Sequence, residues 1–217
     1  MRNLYEDNNL NINTNARMFN KNIETEGAYQ AKVSGDFGEY SISAVMKSLP
    51  DCYHIIDDVL LQTKKGSTQI DHIIVSPFGI FVVETKNHKG MIFGDMMGKV
   101  WTQVVNGRGH FTFYSPVRQN DGHMSHLSKQ LNIRPEFFTG IIVFTSPDAN
   151  LDNVNCPFCM RPDQVYDYIM SFNKPIFNDG QVYKIIERID KIDTSGYINN
   201  QKHIEYVNSF KRPKQYR

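Results

Sequence analysis

Two carboxylates embedded in the most apolar part of the chain constrain what this sequence can fold into. Asp71 lies inside residues 69–75 (QIDHIIV), and Glu84 directly follows the apolar part of residues 80–86 (IFVVETK). Both runs are rich in β-branched and aromatic residues and are bounded by Gly or Pro, which predicts two strands. An isolated buried carboxylate is costly unless it is paired or binds a metal ion. The fold must therefore supply partners for both acids.

The turn between these two strands determines whether the acids meet. A two-residue loop at 77–78 would place Asp71 directly opposite Glu84, with Cβ atoms about 4.5–5.5 Å apart. That separation suits two carboxylates that bind one hard cation. A longer loop with a bulge at Gly79 would separate their faces. In either register Lys86 shares a face with Glu84 and Thr85 points away, because side chains alternate along a strand.

The remaining periodicities predict an α/β fold in a single domain. The strand at 80–86 is apolar on both faces up to Val83, which is typical of a central strand covered on both sides. Ser115-Pro116 has the form of an N-cap followed by proline at the first helical position. The predicted order is helix 34–49, strands 53–61, 69–75 and 80–86, a β excursion at 90–114, helix 115–131, strand 138–145, and helices 163–172, 181–192 and 199–210. This order predicts an α/β sandwich around a mixed sheet.

Composition divides the chain into three parts. Eight of the first 22 residues are asparagine, so residues 1–33 are expected to form a flexible arm that cannot bury enough apolar surface to order itself. Residues 34–145 contain the strands and form the predicted core. Residues 146–217 are expected to be a mainly helical extension packed on that core, with a possible homodimer or protein-partner surface on its helices.

Charge and cysteine content exclude several classes of protein. The net charge is only +1, so binding to nucleic acid would depend on a local basic patch. No apolar run is long enough to span a membrane, and the first residues lack the apolar segment of a secretory signal. The three cysteines are too few for a disulfide framework, and a cytoplasmic setting is expected. Cys156 and Cys159 have the spacing of half a zinc site or of a redox pair.

Several other residues carry two interpretations from the sequence. Glu39 shares a helical face with Ile42, which would direct it inward as a third acid, but Asp36-x-x-Glu39 also has the form of a capping box. Glu84 and Lys86 could be an ordinary ion pair at a strand end. His123 and His126 are expected on a solvated helix face, and Trp101 is expected to be a packing anchor.

Five short segments occur in a fixed order along the chain: Gly38-Glu39, Gln69-Ile70-Asp71-His72, Gly79 to Asn87 (GIFVVETKN), Trp101-Thr102-Gln103, and Ser115-Pro116-Val117-Arg118-Gln119. Together they resemble the nuclease-related domain (NERD) family. The last segment has serine where the family usually has asparagine in Asn-Pro-x-x-Gln. NERD domains belong to the wider PD-(D/E)xK group, so the resemblance implies a restriction-endonuclease-like mixed β-sheet flanked by helices.

The resemblance also implies a metal-dependent nuclease that hydrolyses DNA phosphodiester bonds. The implied catalytic residues are Glu39, Asp71, Glu84, Lys86 and Gln119. Mg²⁺ (or Mn²⁺) would be held by Asp71, Glu84 and the backbone carbonyl of Thr85. Lys86 would position or help deprotonate the attacking water, or stabilise charge on the phosphate.

The expected partner is DNA, with no membrane association. Lys65, Lys89 and Arg118 are predicted to contact the nucleic acid. The alternative is a non-catalytic module that uses the same fold to bind nucleic acid or a protein partner. The sequence favours the enzyme, because a binder has no need for two acids that face phosphate.

Overall fold

Four α-helices and nine strands make up the part of the chain that the structure, a computed structural model, describes. The described residues are 37–64, 66–106 and 109–195, with the side chains of 37–41 excepted. The helices are α1 (Phe37–Lys47), α2 (Pro116–Leu131), α3 (Pro162–Met170) and α4 (Asp179–Ile192). The strands are β1 (His54–Thr63), β2 (Gly66–Ser76), β3 (Gly79–Lys86), β4 (Gly90–Asp95), β5 (Val100–Val105), β6 (Gly109–Tyr114), β7 (Phe138–Phe144), β8 (Ala149–Asn155) and β9 (Cys159–Met160).

The main sheet is mixed and has β3 at its centre. Its strand order is β1-β2-β3-β7-β9. β1, β2 and β3 form an antiparallel meander, whereas β7 and β9 run parallel to β3. Every residue of β3 from Gly79 to Glu84 is buried, because helices cover both faces of the sheet. The prediction of a central strand from its two apolar faces is confirmed.

A second, smaller sheet contains the predicted β excursion. Its strand order is β6-β5-β4-β8, with β4 and β8 parallel and the other pairs antiparallel. The side chain of Trp101 on β5 is completely buried and stacks on Phe144 of β7, with 6.2 Å between ring centroids. This contact ties the second sheet to the main sheet, and the packing role predicted for Trp101 is confirmed.

Each face of the main sheet carries its own apolar cluster. One face packs on α2 and α4 through residues such as Ile73, Val82 and Leu127, all of them fully buried. The opposite face packs on α1 and α3 through residues such as Phe81 and Val143. Each fully buried aliphatic or aromatic side chain contributes about 1.5–3 kcal/mol of transfer free energy.

The fold is a single mixed α/β domain with two mixed sheets flanked by helices, consistent with a restriction-endonuclease-like fold.

Helix α2 begins where the sequence predicted. The Ser115 hydroxyl accepts a hydrogen bond from the Arg118 amide, and Pro116 occupies the first helical position. The helix ends at Asn132, whose left-handed backbone (φ +47°) suits an asparagine C-cap. This capping fixes α2 across the face of β3 and β7, where its second turn overlies the end of β3.

The C-terminal part of the domain differs from its prediction in two ways. Two short strands, β8 and β9, lie in a stretch where no strand was predicted. Cys156 and Cys159 are joined by a disulfide, although the sequence was interpreted as lacking a disulfide framework, whereas Cys52 is free and exposed. The predicted helix at 199–210 and the predicted arm at 1–33 lie outside the described residues. Within residues 37–195, no described helix is long and apolar enough to cross a membrane.

Candidate active site

A polar cavity opens where β2 and β3 separate. The observed register pairs Ser76 with Gly79 and His72 with Val83, which is the register predicted from a two-residue loop. The ladder ends at that last pair, one position before Asp71 and Glu84, while β2 continues to pair with β1. The resulting cavity has a volume of about 460 Å³ and is lined by residues 67–69 and 71 of β2, 84–86 of β3, and Gln119 and His123 of α2.

An irregularity in β1 and β2 places Asp71 at the edge of this cavity. Ile70 and Ile73 both contact the apolar cluster under α2, although strict alternation would send them to opposite faces. Across the pair, Asp58 adopts a left-handed backbone with φ of +56°, and the pairing skips Asp58 and Asp71. The alternation of side chains between the two faces of the sheet therefore reverses at Asp71. The Asp71 carboxylate extends toward β3 instead of toward either face of the sheet.

Thr85 holds one oxygen of Asp71 through two hydrogen bonds. Oδ2 of Asp71 accepts from the Thr85 amide and from the Thr85 hydroxyl, both at 2.8 Å. Thr85 was expected to point away from the face that Glu84 and Lys86 share, and its hydroxyl contacts Asp71 because Asp71 has left the regular pleat to meet it. The N–H and C=O of a strand residue point to the same neighbouring strand, so the Thr85 carbonyl also faces the β2 side.

Glu84 is buried and ionised. Its side chain is 2% exposed; Oε1 accepts from the Lys86 ammonium, and Oε2 lies 3.2 Å from Nε2 of His123. Burial alone raises the pKa of a carboxyl group, but the hydrogen bond from His123 and the charge of Lys86 outweigh it here. The pKa of Glu84 therefore lies below its ordinary value, and the group is a carboxylate at neutral pH.

His123 is a site residue that the sequence analysis missed. It was expected on a solvated helix face, but it is 4% exposed, and its Nδ1 lies 3.0 Å from the hydroxyl of Thr68. A signal was present, because His123 precedes the buried Leu127 and Leu131 at four-residue spacing, which is the spacing of a buried helix stripe. Gln119, one turn earlier, also lines the cavity.

The other predicted residues lie outside this cluster or outside the described region. The backbone of Glu39 lies in α1, and its side chain is among those not described, as is Lys65. Lys89 has an exposed side chain just after β3. The Arg118 guanidinium donates to the carbonyls of Met97 and Gly98, at 2.8 and 3.3 Å, and does not line the cavity.

The oxygen atoms that line the cavity are of the chemical type that binds Mg²⁺ or Mn²⁺. The available ligands are two carboxylates, Asp71 and Glu84, and the Thr85 carbonyl, all of them hard oxygen donors. Among the described side chains, no group of three or more His, Cys, Asp or Glu is placed to hold a metal. Mg²⁺ tolerates such a sparse set, since it keeps several waters and commonly binds one or two carboxylates together with substrate phosphate.

Comparison with known proteins bears on the same region of the chain. No solved structure matches the chain. An uncharacterized protein of Bacillus anthracis is 38% identical over 95 residues, which are 43% of this chain and 44% of that protein. The chain thus spans less than half the length of this relative. The family model described as nuclease-related domain matches residues 34–145, more than half of the chain and all of the cavity-lining residues. The chain therefore belongs to the nuclease-related domain family.

Proposed function

We propose that this protein is a nuclease that hydrolyses DNA phosphodiester bonds with Mg²⁺ or Mn²⁺ in the cavity between β2, β3 and α2. The observation that carries the proposal is the convergence of Asp71, Glu84 and Lys86 on one cavity. A carboxylate pair can hold a divalent cation, and a lysine ammonium beside it can stabilise the negative charge that develops during metal-assisted attack on a phosphodiester. Membership of the nuclease-related domain family points the same way.

Asp71 and Glu84 would hold the cation together with the Thr85 carbonyl. Thr85 engages only Oδ2 of Asp71, and among the described residues Oδ1 has no hydrogen-bond partner. Each oxygen of Glu84 has one partner, so each keeps a lone pair for a metal. When bound, the cation supplies charge that stabilises the phosphate transition state and acidifies a water molecule.

Lys86 contributes a fixed positive charge next to these acids. Its ammonium contacts Glu84, and its side chain is 18% exposed, so the amine lies at the wall of the cavity rather than in the core. From there Nζ can donate to a phosphate oxygen or to the attacking water, and either contact lowers the cost of the developing negative charge. Gln119, in the first turn of α2, can donate its amide to the same phosphate.

One observation favours the non-catalytic alternative. Both oxygens of Glu84 are already paired, with Lys86 and His123, so the acid is neutralised without any metal. A module that only binds nucleic acid or a protein partner would retain this ion pair for stability. The two functions differ in whether the wild-type protein turns over substrate.

A cleavage assay separates these two functions. Plasmid and single-stranded DNA would be incubated with the protein and Mg²⁺ or Mn²⁺, with EDTA as the metal-free control. Lys86→Met would be compared with Lys184→Met, which removes an exposed lysine on α4, away from the cavity. We expect metal-dependent cleavage by the wild type and by Lys184→Met, and its loss in folded Lys86→Met. A folded wild type that leaves both DNA substrates intact with either metal would refute the proposal.

A further inference from the structure

A buried histidine stands between the candidate metal ligand Glu84 and a hydroxyl group of β2. The His123 ring projects from α2 into the cavity wall, with Nδ1 3.0 Å from the Thr68 hydroxyl and Nε2 3.2 Å from Oε2 of Glu84. Both His123 and Glu84 are more than nine-tenths buried. The three side chains come from three different elements, so the contact depends on the tertiary fold.

The chemistry of the partners fixes the direction of these hydrogen bonds. A carboxylate can only accept, so the His123 nitrogen that faces Glu84, Nε2, must carry a proton. In the neutral ring Nδ1 then has a free lone pair and accepts from the Thr68 hydroxyl. The amide nitrogen of Gln119 lies 3.5 Å from the same Nε2; both nitrogens are then donors, so this contact is not a hydrogen bond. The ordered chain is therefore Thr68 to His123 to Glu84.

We infer that Thr68 and His123 form a positioning pair that fixes the Glu84 carboxylate in the orientation in which it would bind the divalent cation. The inference rests on the proposed function, and it assigns His123 no contact with the substrate. Carboxylate ligands in metal sites are commonly oriented by hydrogen bonds from residues behind them, and loss of such a partner costs about 10–100-fold in metal affinity or activity.

Lys86 cannot supply this orientation by itself. Its long side chain has many rotamers, and in the proposed reaction its ammonium also donates to the phosphate or the water. The imidazole ring has two side-chain torsions and is held at both nitrogens, so it restricts the Glu84 carboxylate more tightly. Asp71 is held in a similar way, because the amide and the hydroxyl of Thr85 both donate to its Oδ2. Each acid thus has one oxygen fixed by a hydrogen-bond donor other than Lys86.

Thr68→Val is the sharpest perturbation of this pair. Valine keeps the β-branched shape and removes only the hydroxyl, so the half-buried strand position stays filled. Thr112→Val on the exposed strand β6 is the matched control. For the ring itself, His123→Gln retains an amide donor that can reach Glu84, whereas His123→Leu removes it. His126→Leu, three residues along the same helix and outside the cavity, is the matched control.

Two readouts test the role of the pair. The ¹⁵N resonances of the His123 ring report which nitrogen carries the proton, and calorimetry with Mn²⁺ in the absence of DNA reports metal affinity. We expect the Nε2–H tautomer in the wild type and a reduced preference for it in Thr68→Val. We expect His123→Leu to bind Mn²⁺ about 10–100-fold more weakly, with Thr68→Val affected in the same direction and His123→Gln closer to the wild type. A residue that only stabilises the fold would change the melting temperature and leave the Mn²⁺ affinity of the folded protein unchanged.

The outcomes separate this inference from the proposed function. If the wild type binds Mn²⁺ and cleaves DNA, and folded Thr68→Val and His123→Leu bind Mn²⁺ as tightly as their controls, the positioning role is overturned and the nuclease function stands. If the wild type neither binds Mn²⁺ nor cleaves, the proposed function fails and the inference fails with it. Weaker Mn²⁺ binding in both variants, with the His126 and Thr112 controls unaffected, supports the positioning pair.

Discussion

Replacing Lys86 by methionine should destabilise the metal-free protein as well as inactivate it. Methionine preserves the length and the apolar part of the side chain and removes the positive charge. In the wild type the hydrogen bond from His123 and the charge of Lys86 together compensate Glu84, a carboxylate with only 2% of its side chain exposed. After the substitution, only the hydrogen bond from His123 remains to compensate the charge on Glu84. The perturbation is therefore the creation of a buried, underpaired charge.

The size of this effect follows from the burial of the two partners. Removing one member of a buried ion pair costs about 3–5 kcal/mol. The Lys86 side chain is 18% exposed, so water can partly replace its charge, and we expect a loss of about 3 kcal/mol near pH 7. The stabilisation that comes from the lowered pKa of Glu84 is present above the ordinary carboxyl pKa and is lost as the pH falls through the folded-state pKa. The deficit of Lys86→Met should therefore shrink toward acidic pH.

Urea denaturation at neutral and acidic pH, with EDTA present, measures this deficit. The double variant Glu84→Gln/Lys86→Met is the internal control. Replacing the unpaired carboxylate by a neutral amide should restore part of the free energy of unfolding. Addition of Mn²⁺ should stabilise Lys86→Met, since a metal bound only by the folded state contributes about 2.7 kcal/mol at one hundred times its dissociation constant. A Lys86→Met protein as stable as the wild type at neutral pH, or a deficit independent of pH, would refute this view of the buried pair.

Two further predictions follow from packing and from histidine titration. A Cβ added at Gly94 would lie 2.0 Å from the buried ring of Trp101, so Gly94→Ala should lower the unfolding free energy by about 1–3 kcal/mol in urea denaturation. Gly122→Ala, in a helix with open space around it, should instead raise it by about 0.5–1 kcal/mol, and equal effects of the two would contradict the packing described. Burial lowers the pKa of His88 despite its hydrogen bond to Gln103, so the unfolded chain takes up the proton first and stability falls as the pH drops below about 6.5. His88→Gln should weaken that dependence in melting curves between about pH 5.5 and 7.5, and an unchanged slope would exclude His88 as its source.

Local patterns in the sequence were sufficient to predict the central strands and helix α2. The run IFVVETK is apolar on both faces up to Val83, and this is the strand that both helical layers bury. The two-residue turn after Ser76, one of the two loops that the sequence allowed, sets the register of β2 and β3. Ser115 and Pro116 fixed the start of α2, because a cap and an N1 proline act locally. In each case the determining interaction lies within a few residues of the chain.

Features that depend on distant contacts were not predictable in this way. Strand β8, with the sequence ANLDNVN, has almost no apolar pattern, and it forms because β4 offers a parallel partner. The bend that brings Asp71 to Thr85 requires the matched irregularity at Asp58 in the neighbouring strand. The contact between His123 and Glu84 joins residues 39 positions apart, and the spacing of two cysteines could not distinguish a disulfide from half a zinc site.

The most direct test of a metal-dependent site between β2 and β3 is diffraction from crystals grown with Mn²⁺, recorded at a wavelength where manganese scatters anomalously. We predict an anomalous peak that contacts the carboxylates of Asp71 and Glu84 and the carbonyl of Thr85, at the distances of about 2.0–2.2 Å typical of small hard cations. Glu84→Gln crystals should show a weaker peak or none. No peak in the wild-type cavity at saturating Mn²⁺, or a peak held only by residues outside it, would contradict the proposed site.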